Sequence, residues 1–228
     1  MATYYSPKIV TDGLIFLADI GNAKSYQGSG TSLYNLANSS ASALTIPAGV
    51  SYGTASPGGG YLNFSGTNSV ISTGVNQASN FATGGQFTLA AFIKTPTTFY
   101  KSYLGHSQHV QHGFMLGMQS GVHRMVINNS GSGFAIDGPA PNNSSIEFIC
   151  GTHESRVLKL YYNGSLYSQG TASFDWVSIN ADMYLGYGNQ GGWDPYIGYI
   201  HIAYIYNRAL SATEILQNYN ALKGRFGL

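Results

Sequence analysis

A short segment near residue 190 combines the side chain types that sugar recognition requires. It lies between two predicted strands and contains one Trp, two Tyr and several amide or acidic residues. Aromatic rings stack on the apolar face of a sugar, while neighbouring amides and carboxylates bond its hydroxyl groups. We therefore predict a ligand-binding loop with these contact residues: Tyr187, Asn189, Gln190, Trp193, Asp194 and Tyr196. In the alternative interpretation, Trp193 packs over the end of the domain or in a subunit contact, and Asp194-Pro195 only sets a turn.

A second group with potential chemistry is a set of histidines spaced by three, His106, His109 and His112. On a strand, alternation would place His106 and His112 on one face and His109 on the other. A loop could instead gather all three around zinc or nickel. We favour a polar loop without a metal, and we predict no cofactor.

The last thirty residues predict a strand followed by a helix. Every second residue from Ile200 to Tyr206 is Ile or Tyr, as expected of a strand with one buried face. Ser211 and Glu214 then stand three apart, the spacing of a capping box at the start of a helix. A short apolar stripe follows, and Gly224 is placed to end the helix.

The rest of the chain predicts strands joined by turns. Thirty glycines punctuate short apolar runs, and Asn163-Gly164 is the dipeptide favoured in a type I′ hairpin turn. Trp176 and Cys150 are expected to be buried. We predict one domain over residues 13–228, preceded by an N-terminal arm over residues 1–12 that is either a flexible terminus or docks on a neighbouring subunit.

Several motifs resemble those of one known family. The strand-to-helix passage from Tyr204 to Ile215, the strand from Phe87 to Lys94 and the hairpin from Lys159 to Gly164 are similar to segments of laminin-G-like domains in the concanavalin A-like lectin/glucanase superfamily. The correspondence runs in order from about residue 13 to the last residue. It implies an all-β fold, a concanavalin A-like jelly-roll sandwich of two antiparallel sheets with a short C-terminal helix. This fold carries enzymes, lectins and structural modules, so it does not determine the function.

Enzymes with this fold place three acids on one strand in a Glu-x-Asp-x-(x)-Glu run, so that alternate side chains flank one sugar bond. The chain has no such run. Its glutamates are widely separated, and Asp175 and Asp182 are too far apart in sequence to form that motif. We therefore predict that the protein is not an enzyme, and a glycoside hydrolase remains the less favoured alternative.

The resemblance also bears on calcium. The family's turn usually reads Phe-Asp-Gly-Thr-Asn-Asp, but Ser65 and Ser69 stand where this turn has its acids. Calcium prefers several oxygen ligands that include anionic ones, so this loss argues against a bound ion, although Asp19 remains. We predict no metal site.

Composition restricts the partners. Charged residues make up only 8% of the chain and the net charge is +1, whereas about a quarter is usual. The ten Lys and Arg form no basic patch, which excludes nucleic acid as an expected partner. A surface with so few charged residues favours self-association, and we therefore expect a homo-oligomer. No apolar run has the length of a membrane span, and Met1 to Pro7 lacks the pattern of a secretory signal.

An adhesive surface without a secretion signal is expected of a virion protein, which assembles in the host cytoplasm and then acts on the particle surface. The stretch from Arg208 to Gly227 most resembles laminin-G-like domains in structural proteins of tailed phages. The resemblance implies a capsid decoration or a tail or fibre component, with other virion proteins as partners and host surface glycans as ligands. The alternative is a soluble carbohydrate-binding module of a cellular protein.

Overall fold

The computed structural model describes residues 7–55, 59–66, 69–95, 101–108, 112–187 and 196–228. The strands are β1 (Leu14–Asp19), β2 (Ser32–Leu33), β3 (Leu44–Thr45), β4 (Val50–Ala55), β5 (Gly59–Ser65), β6 (Ile71–Asn76), β7 (Phe87–Lys94), β8 (Lys101–Gln108), β9 (His112–Gln119), β10 (Val122–Asn129), β11 (Ser132–Asp137), β12 (Glu147–Glu154), β13 (Val157–Tyr162), β14 (Ser165–Thr171), β15 (Asp182–Leu185) and β16 (Ile197–Tyr206). The helices are α1 (Gln77–Asn80) and α2 (Ala212–Leu222), and a 3-10 turn covers Lys223–Phe226.

Two antiparallel sheets form the sandwich, as predicted. The eight-stranded sheet has the order β14-β13-β12-β7-β16-β5-β4, and β1 pairs with β16 beside this path. The six-stranded sheet has the order β11-β10-β9-β8-β15-β6. Distant parts of the sequence therefore meet in neighbouring strands, and β15 and β16 bring the end of the chain into both sheets.

The central strand β7 shows why the eight-stranded sheet is covered on both sides. Phe87, Leu89 and Ile93 point into the core between the sheets. Ala90 and Phe92 point the other way, into a second apolar layer beneath the C-terminal helix. Alternate residues of a strand face opposite sides, so a strand that is apolar at nearly every position must be covered twice.

Helix α2 provides that second cover. Ser211 is its N-cap, and the reciprocal bonds of a capping box with Glu214 are both present, which confirms the predicted start. Ile215 is the buried apolar anchor of this helix against the sheet. Helix α2 ends at Leu222 with Lys223 as its C-cap, so Gly224 directly follows the helix, as predicted. A 3-10 turn then continues to Phe226, and Gly227 is the glycine that takes the left-handed conformation, at φ 70°.

The segment before β1 packs on the same helix. Asn218 Oδ1 accepts a hydrogen bond from the backbone N–H of Val10 at 2.8 Å, and Gln217 Nε2 donates to the carbonyl of Lys8 at 2.7 Å. Tyr206 also donates its hydroxyl to the Val10 carbonyl at 2.9 Å. Residues 8–10 of the predicted arm are therefore docked on their own chain.

Two local predictions are confirmed. Asn163 and Gly164 have φ values of 48° and 83° between β13 and β14, in agreement with a type I′ turn. Trp176 is fully buried between the sheets, and its Nε1 donates to the Gly85 carbonyl at 3.1 Å. Cys150 is also buried, in the layer beneath α2, and burial raises the pKa of its thiol well above the ordinary value.

Candidate functional site

Two tyrosines form an aromatic pair at β15 of the six-stranded sheet. The rings of Tyr184 and Tyr187 stack with centroids 4.9 Å apart and an interplanar angle of 20°. In β15, Asp182 and Tyr184 alternate with Met183 and Leu185, which belong to the core between the sheets. Strand alternation therefore places Asp182 and Tyr184 on the outer face of the sheet, and both are half-buried.

His106 from the neighbouring strand β8 supports this pair. Its ring lies 4.6 Å from the ring of Tyr187 and 5.3 Å from that of Tyr184. Its Nδ1 donates to the Asp182 carbonyl at 3.0 Å, which leaves Nε2 as the acceptor nitrogen of the neutral ring. His106 is buried and contacts both tyrosine rings, whereas the two tyrosines are half-buried.

A carboxylate lies beside the aromatic pair. Asp182 Oδ2 accepts a hydrogen bond of 2.6 Å from the hydroxyl of Ser72 on β6. The six-stranded sheet thus brings aromatic rings, an imidazole, a carboxylate and a hydroxyl together from three neighbouring strands, β6, β15 and β8. These are the groups with which proteins bind a neutral sugar.

The histidine and the two tyrosines of this cluster keep fixed protonation states near neutral pH. Burial lowers the pKa of His106, so its imidazole is neutral at pH 7. Burial raises the pKa of Tyr184, and the nearby Asp182 raises it further. Burial also raises the pKa of Tyr187, with Tyr184 as the smaller cause. Both phenols are therefore protonated hydrogen-bond donors.

This cluster stands where the predicted ligand-binding loop begins. Of the contact residues predicted for that loop, Tyr187 belongs to the cluster. Asn189, Gln190, Trp193 and Asp194 lie outside the described residues. The backbone N–H of Tyr196 donates to the Gly186 carbonyl at 3.1 Å, so the chain leaves and re-enters the described fold at one place.

Tyr196 is the exception among the predicted contact residues. Its side chain is fully buried in the core between the sheets, with its ring 5.2 Å from that of Tyr103. Its hydroxyl is bonded to Thr95 Oγ1 at 3.1 Å and to the Lys94 carbonyl at 3.2 Å. A ring enclosed in this way has no free face for a sugar, so Tyr196 is a core residue and not a ligand contact.

The candidate metal ligands are not assembled into a site within the described chain. Asp19 is held by Arg225 through two hydrogen bonds of 2.6 and 2.8 Å. His106 is turned toward Tyr184 and Tyr187, His112 begins β9, and His109 lies outside the described residues. No group of three or more His, Cys, Asp or Glu side chains with metal-binding geometry occurs in the part of the chain that the structure describes.

The described carboxylates all have partners. Four acids pair with arginines at 3.1 Å or less, namely Asp19, Asp137, Asp175 and Glu214, and Asp12 pairs with the Arg208 that also holds Glu214. Glu154 accepts from Gln86, and Glu147 is sealed in the core against His123 and Tyr162. The described part of the chain therefore offers no pair of free acids facing an open cleft, the arrangement that a glycosidase requires.

The ligand loop predicted from the sequence includes Tyr187 but none of its partners in the cluster. The sequence indicates Asp182 only as a candidate acid and His106 only as a candidate metal ligand, and Tyr184 and Ser72 are not among the predicted contact residues. Their common signal is alternation, since Asp182 and Tyr184 interrupt an otherwise apolar strand. Their meeting with His106 depends on the pairing of β15 with β8 and β6, which spans long sequence separations.

An antiparallel β-sandwich with this strand order defines a lectin-like class of domain. A laminin-G family model, described as the concanavalin A-like lectin/glucanases superfamily, matches residues 64–216. This match covers more than half of the chain, and the protein belongs to that superfamily. A comparison of the sequence with curated proteins gives no match.

Solved structures with a similar fold include toxin binding domains and an enzyme-associated domain. The binding domain of Paraclostridial Mosquitocidal Protein 1 superimposes with a TM-score of 0.72 at 17% identity, over 92% of this chain and 52% of the other. A structure of botulinum neurotoxin type C, described as dependent for cell entry on two ganglioside molecules, gives 0.66 at 15% identity over 93% and 52%. Domain 4 of AbnA, a GH43 extracellular arabinanase from Geobacillus stearothermophilus in complex with arabinotriose, gives 0.59 at 18% identity over 75% and 81%. This chain thus spans about half the length of the toxin structures, and at these identities the likeness establishes the fold.

Proposed function

We propose that the protein is a non-enzymatic adhesion domain that binds glycans on the outer face of its six-stranded sheet. The observation that carries the proposal is the Tyr184–Tyr187 stack, with Asp182 and Ser72 beside it. The rings offer an apolar platform, and the carboxylate, hydroxyl and phenol groups offer hydrogen bonds in fixed directions. The similarity to a structure in complex with arabinotriose and to a neurotoxin whose cell entry depends on two ganglioside molecules supports the same function.

The test is a glycan array followed by titration calorimetry with the best ligand. Tyr184→Ala removes half of the platform, so we expect binding to weaken more than tenfold. Tyr167→Ala is the matched control, since Tyr167 is 55% exposed on β14 of the other sheet. An array on which the wild-type protein binds no glycan, or equal affinities for wild type and Tyr184→Ala, would contradict the proposal.

The finer proposal concerns the setting. We propose that the domain is a structural component of a tailed-phage particle, as capsid decoration or as part of a tail or fibre, with other virion proteins as partners. The uncharged, tyrosine-rich composition and the motif resemblance support it. Electron microscopy of purified particles, with the chain identified by mass spectrometry, should locate it on the particle surface. Its absence from purified particles would contradict this setting and leave glycan binding standing.

We propose no turnover of the bound glycan. The partners of the described carboxylates support this, and incubation with the best ligand should release no reducing sugar.

In the described chain, neither α1 nor α2 has the length and apolarity of a membrane span.

We further propose a homo-oligomer, which sedimentation equilibrium would detect as a mass that is a multiple of 24.3 kDa.

The second candidate is an accessory sugar-binding module of a cellular protein. The similarity to Domain 4 of the arabinanase favours it, because the match covers 81% of that domain and its structure is in complex with arabinotriose. Binding to arabino-oligosaccharides, together with absence from purified particles, would support this candidate over the virion setting.

A further inference from the structure

A second cavity lies on the opposite side of the molecule, on the outer face of the eight-stranded sheet. It has a volume of about 480 Å³, within the range of small-ligand pockets. Its walls come from β5, β7 and β16, from residues 144–146 and from the end of the chain. The polar lining residues are Tyr61, Lys94, Ser144, Ser145, Tyr199 and His201.

Two tyrosines make one corner of this cavity. The rings of Tyr61 and Tyr199 lie 4.7 Å apart at an angle of 60°. Tyr61 lies over its cross-strand partner Gly53, where an added Cβ would come within 2.4 Å of the Tyr61 ring. Glycine at position 53 therefore allows the Tyr61 ring to lie close to the backbone of the neighbouring strand. The half-buried rings of Tyr61 and Tyr199 form an angled aromatic wall.

A bulge in β16 brings His201 into the same cavity. The register between β16 and β7 shifts between Ile200 and Ile202, so His201 is an additional residue in its strand. Bulges of this kind re-aim a side chain and are frequent beside functional sites. His201 is only 1% exposed, and its Nδ1 has no hydrogen-bond partner among the described residues. An unpartnered buried acceptor is costly, and a ligand hydroxyl would satisfy it.

Lys94 is the one charged side chain in the described lining of the cavity. No carboxylate in the described chain pairs with Lys94, whereas the neighbouring Arg225 is held by Asp19 through two hydrogen bonds. Burial, with smaller contributions from Arg225 and Lys94, lowers the pKa of His201 to about 4. The imidazole is therefore neutral at pH 7 and available as an acceptor, while Lys94 supplies the one cationic donor.

We propose that this cavity binds a sugar that carries one carboxylate, with the ring against Tyr61 and Tyr199, the carboxylate on Lys94 and a hydroxyl on His201 Nδ1. A single ammonium matches a single negative charge. The described lining contains neither an arginine nor a helix N-terminus, the groups that most often receive a doubly charged phosphate. The two serines are placed to bond further sugar hydroxyls. This site is independent of the Tyr184–Tyr187 platform, which lies on the other sheet.

The test measures acidic and neutral saccharides side by side by titration calorimetry. Galacturonate and N-acetylneuraminate represent the two sources of a sugar carboxylate, and galactose and the methyl ester of N-acetylneuraminate are their neutral counterparts. We expect at least one acidic saccharide to bind at least tenfold more tightly than its neutral counterpart. The acid that binds identifies the source, whereas equal binding of each acid and its neutral counterpart, or no binding of either acid, would overturn the proposal.

Variants then locate the site. Lys94→Ala and Tyr199→Ala should each weaken binding of the acidic saccharide more than tenfold, and Lys94→Arg should restore most of it. Lys24→Ala is the matched control, because it removes the same charge at an exposed position outside the cavity. Thermal unfolding of each variant separates a loss of binding from a loss of folding. Unchanged binding in folded Lys94→Ala would overturn the assignment. Tyr184→Ala should keep the acidic-sugar affinity, so a failure of the platform is distinguishable from a failure of this cavity.

Discussion

At the residue scale, Glu147 shows how a carboxylate in a lectin-like fold can be structural. It is fully buried, its Oε2 lies 3.4 Å from Nε2 of His123, and its Oε1 accepts from the Tyr162 hydroxyl at 2.9 Å. Burial alone would raise the pKa of this carboxyl, yet the adjacent imidazole of His123, with smaller contributions from the Asn142 backbone and the Tyr162 hydroxyl, outweighs burial and holds the pKa below its ordinary value. An acid enclosed in this way links the core residues of β10, β12 and β13 and cannot reach a substrate.

We expect Glu147→Ala to lower the free energy of unfolding by about 3–5 kcal/mol, because it leaves the buried His123 and the half-buried Tyr162 without their partner. Glu147→Gln keeps an acceptor for Tyr162 and should cost less. Urea unfolding followed by fluorescence measures both. Glu154→Ala is the matched control at an exposed position, where the change should stay within about 0.5 kcal/mol. A Glu147→Ala protein as stable as this control would contradict the structural role.

At the element scale, α2 depends on its first turn. Glu214 bonds the backbone N–H of Ser211 and is also held by Arg208, whose hydrogen bond is the main reason that the pKa of Glu214 is lowered to about 2. Ser211→Ala removes one half of the capping box and should cost about 1 kcal/mol, whereas Ser211→Asp keeps an acceptor at the N-cap and should cost less. Thermal unfolding distinguishes the two, and equal melting temperatures would show that the cap contributes nothing.

The same element shows what the sequence could and could not predict. Local signals were sufficient for the strand ending at Tyr206, the cap at Ser211 and the turn at Asn163-Gly164, since each depends on neighbours in sequence. The 3-10 turn after α2 has no signal in the local sequence, because the packing of Phe226 against Phe92 depends on a strand that is distant in sequence.

The candidate sites were harder to predict than the elements. Tyr187 was identified from its neighbours along the chain, but its contacts with Tyr184 and His106 follow from strand order. The side chain of His201 lines its cavity because of a β-bulge, and no local sequence pattern predicts that bulge. Tyr196 was assigned to the ligand because an aromatic residue at the end of a loop has the same local pattern whether it turns outward or into the core.

At the scale of the whole molecule, the two sheets divide the surface into two separate faces. The six-stranded sheet carries the neutral platform of Tyr184 and Tyr187, and the eight-stranded sheet carries the cationic cavity of Lys94 and His201. Because the two proposed sites lie on opposite faces, a domain with both sites occupied would hold two separate glycan chains. Only 8% of the residues are charged, so a single cation is a large fraction of the local charge.

The stability of the whole fold is expected to decrease in acid, because three buried histidines in different parts of the chain have a lowered pKa. Burial is the largest cause that lowers the pKa of His106, of His153 and of His201, the last to about 4. Between pH 6.5 and the folded pKa, the unfolded chain binds protons that the folded chain does not, so stability falls as the pH falls through this window.

For His201 alone, the free energy of unfolding is expected to be about 2 kcal/mol lower at pH 5 than at pH 7.5. This corresponds to roughly 4–8 °C in melting temperature for a domain of this size. Thermal unfolding should therefore show a lower melting temperature at pH 5, and His201→Leu should flatten the dependence. A melting temperature that is equal or higher at pH 5 would mean that these histidines are protonated in the folded protein, and the neutral acceptor proposed at His201 would then be lost.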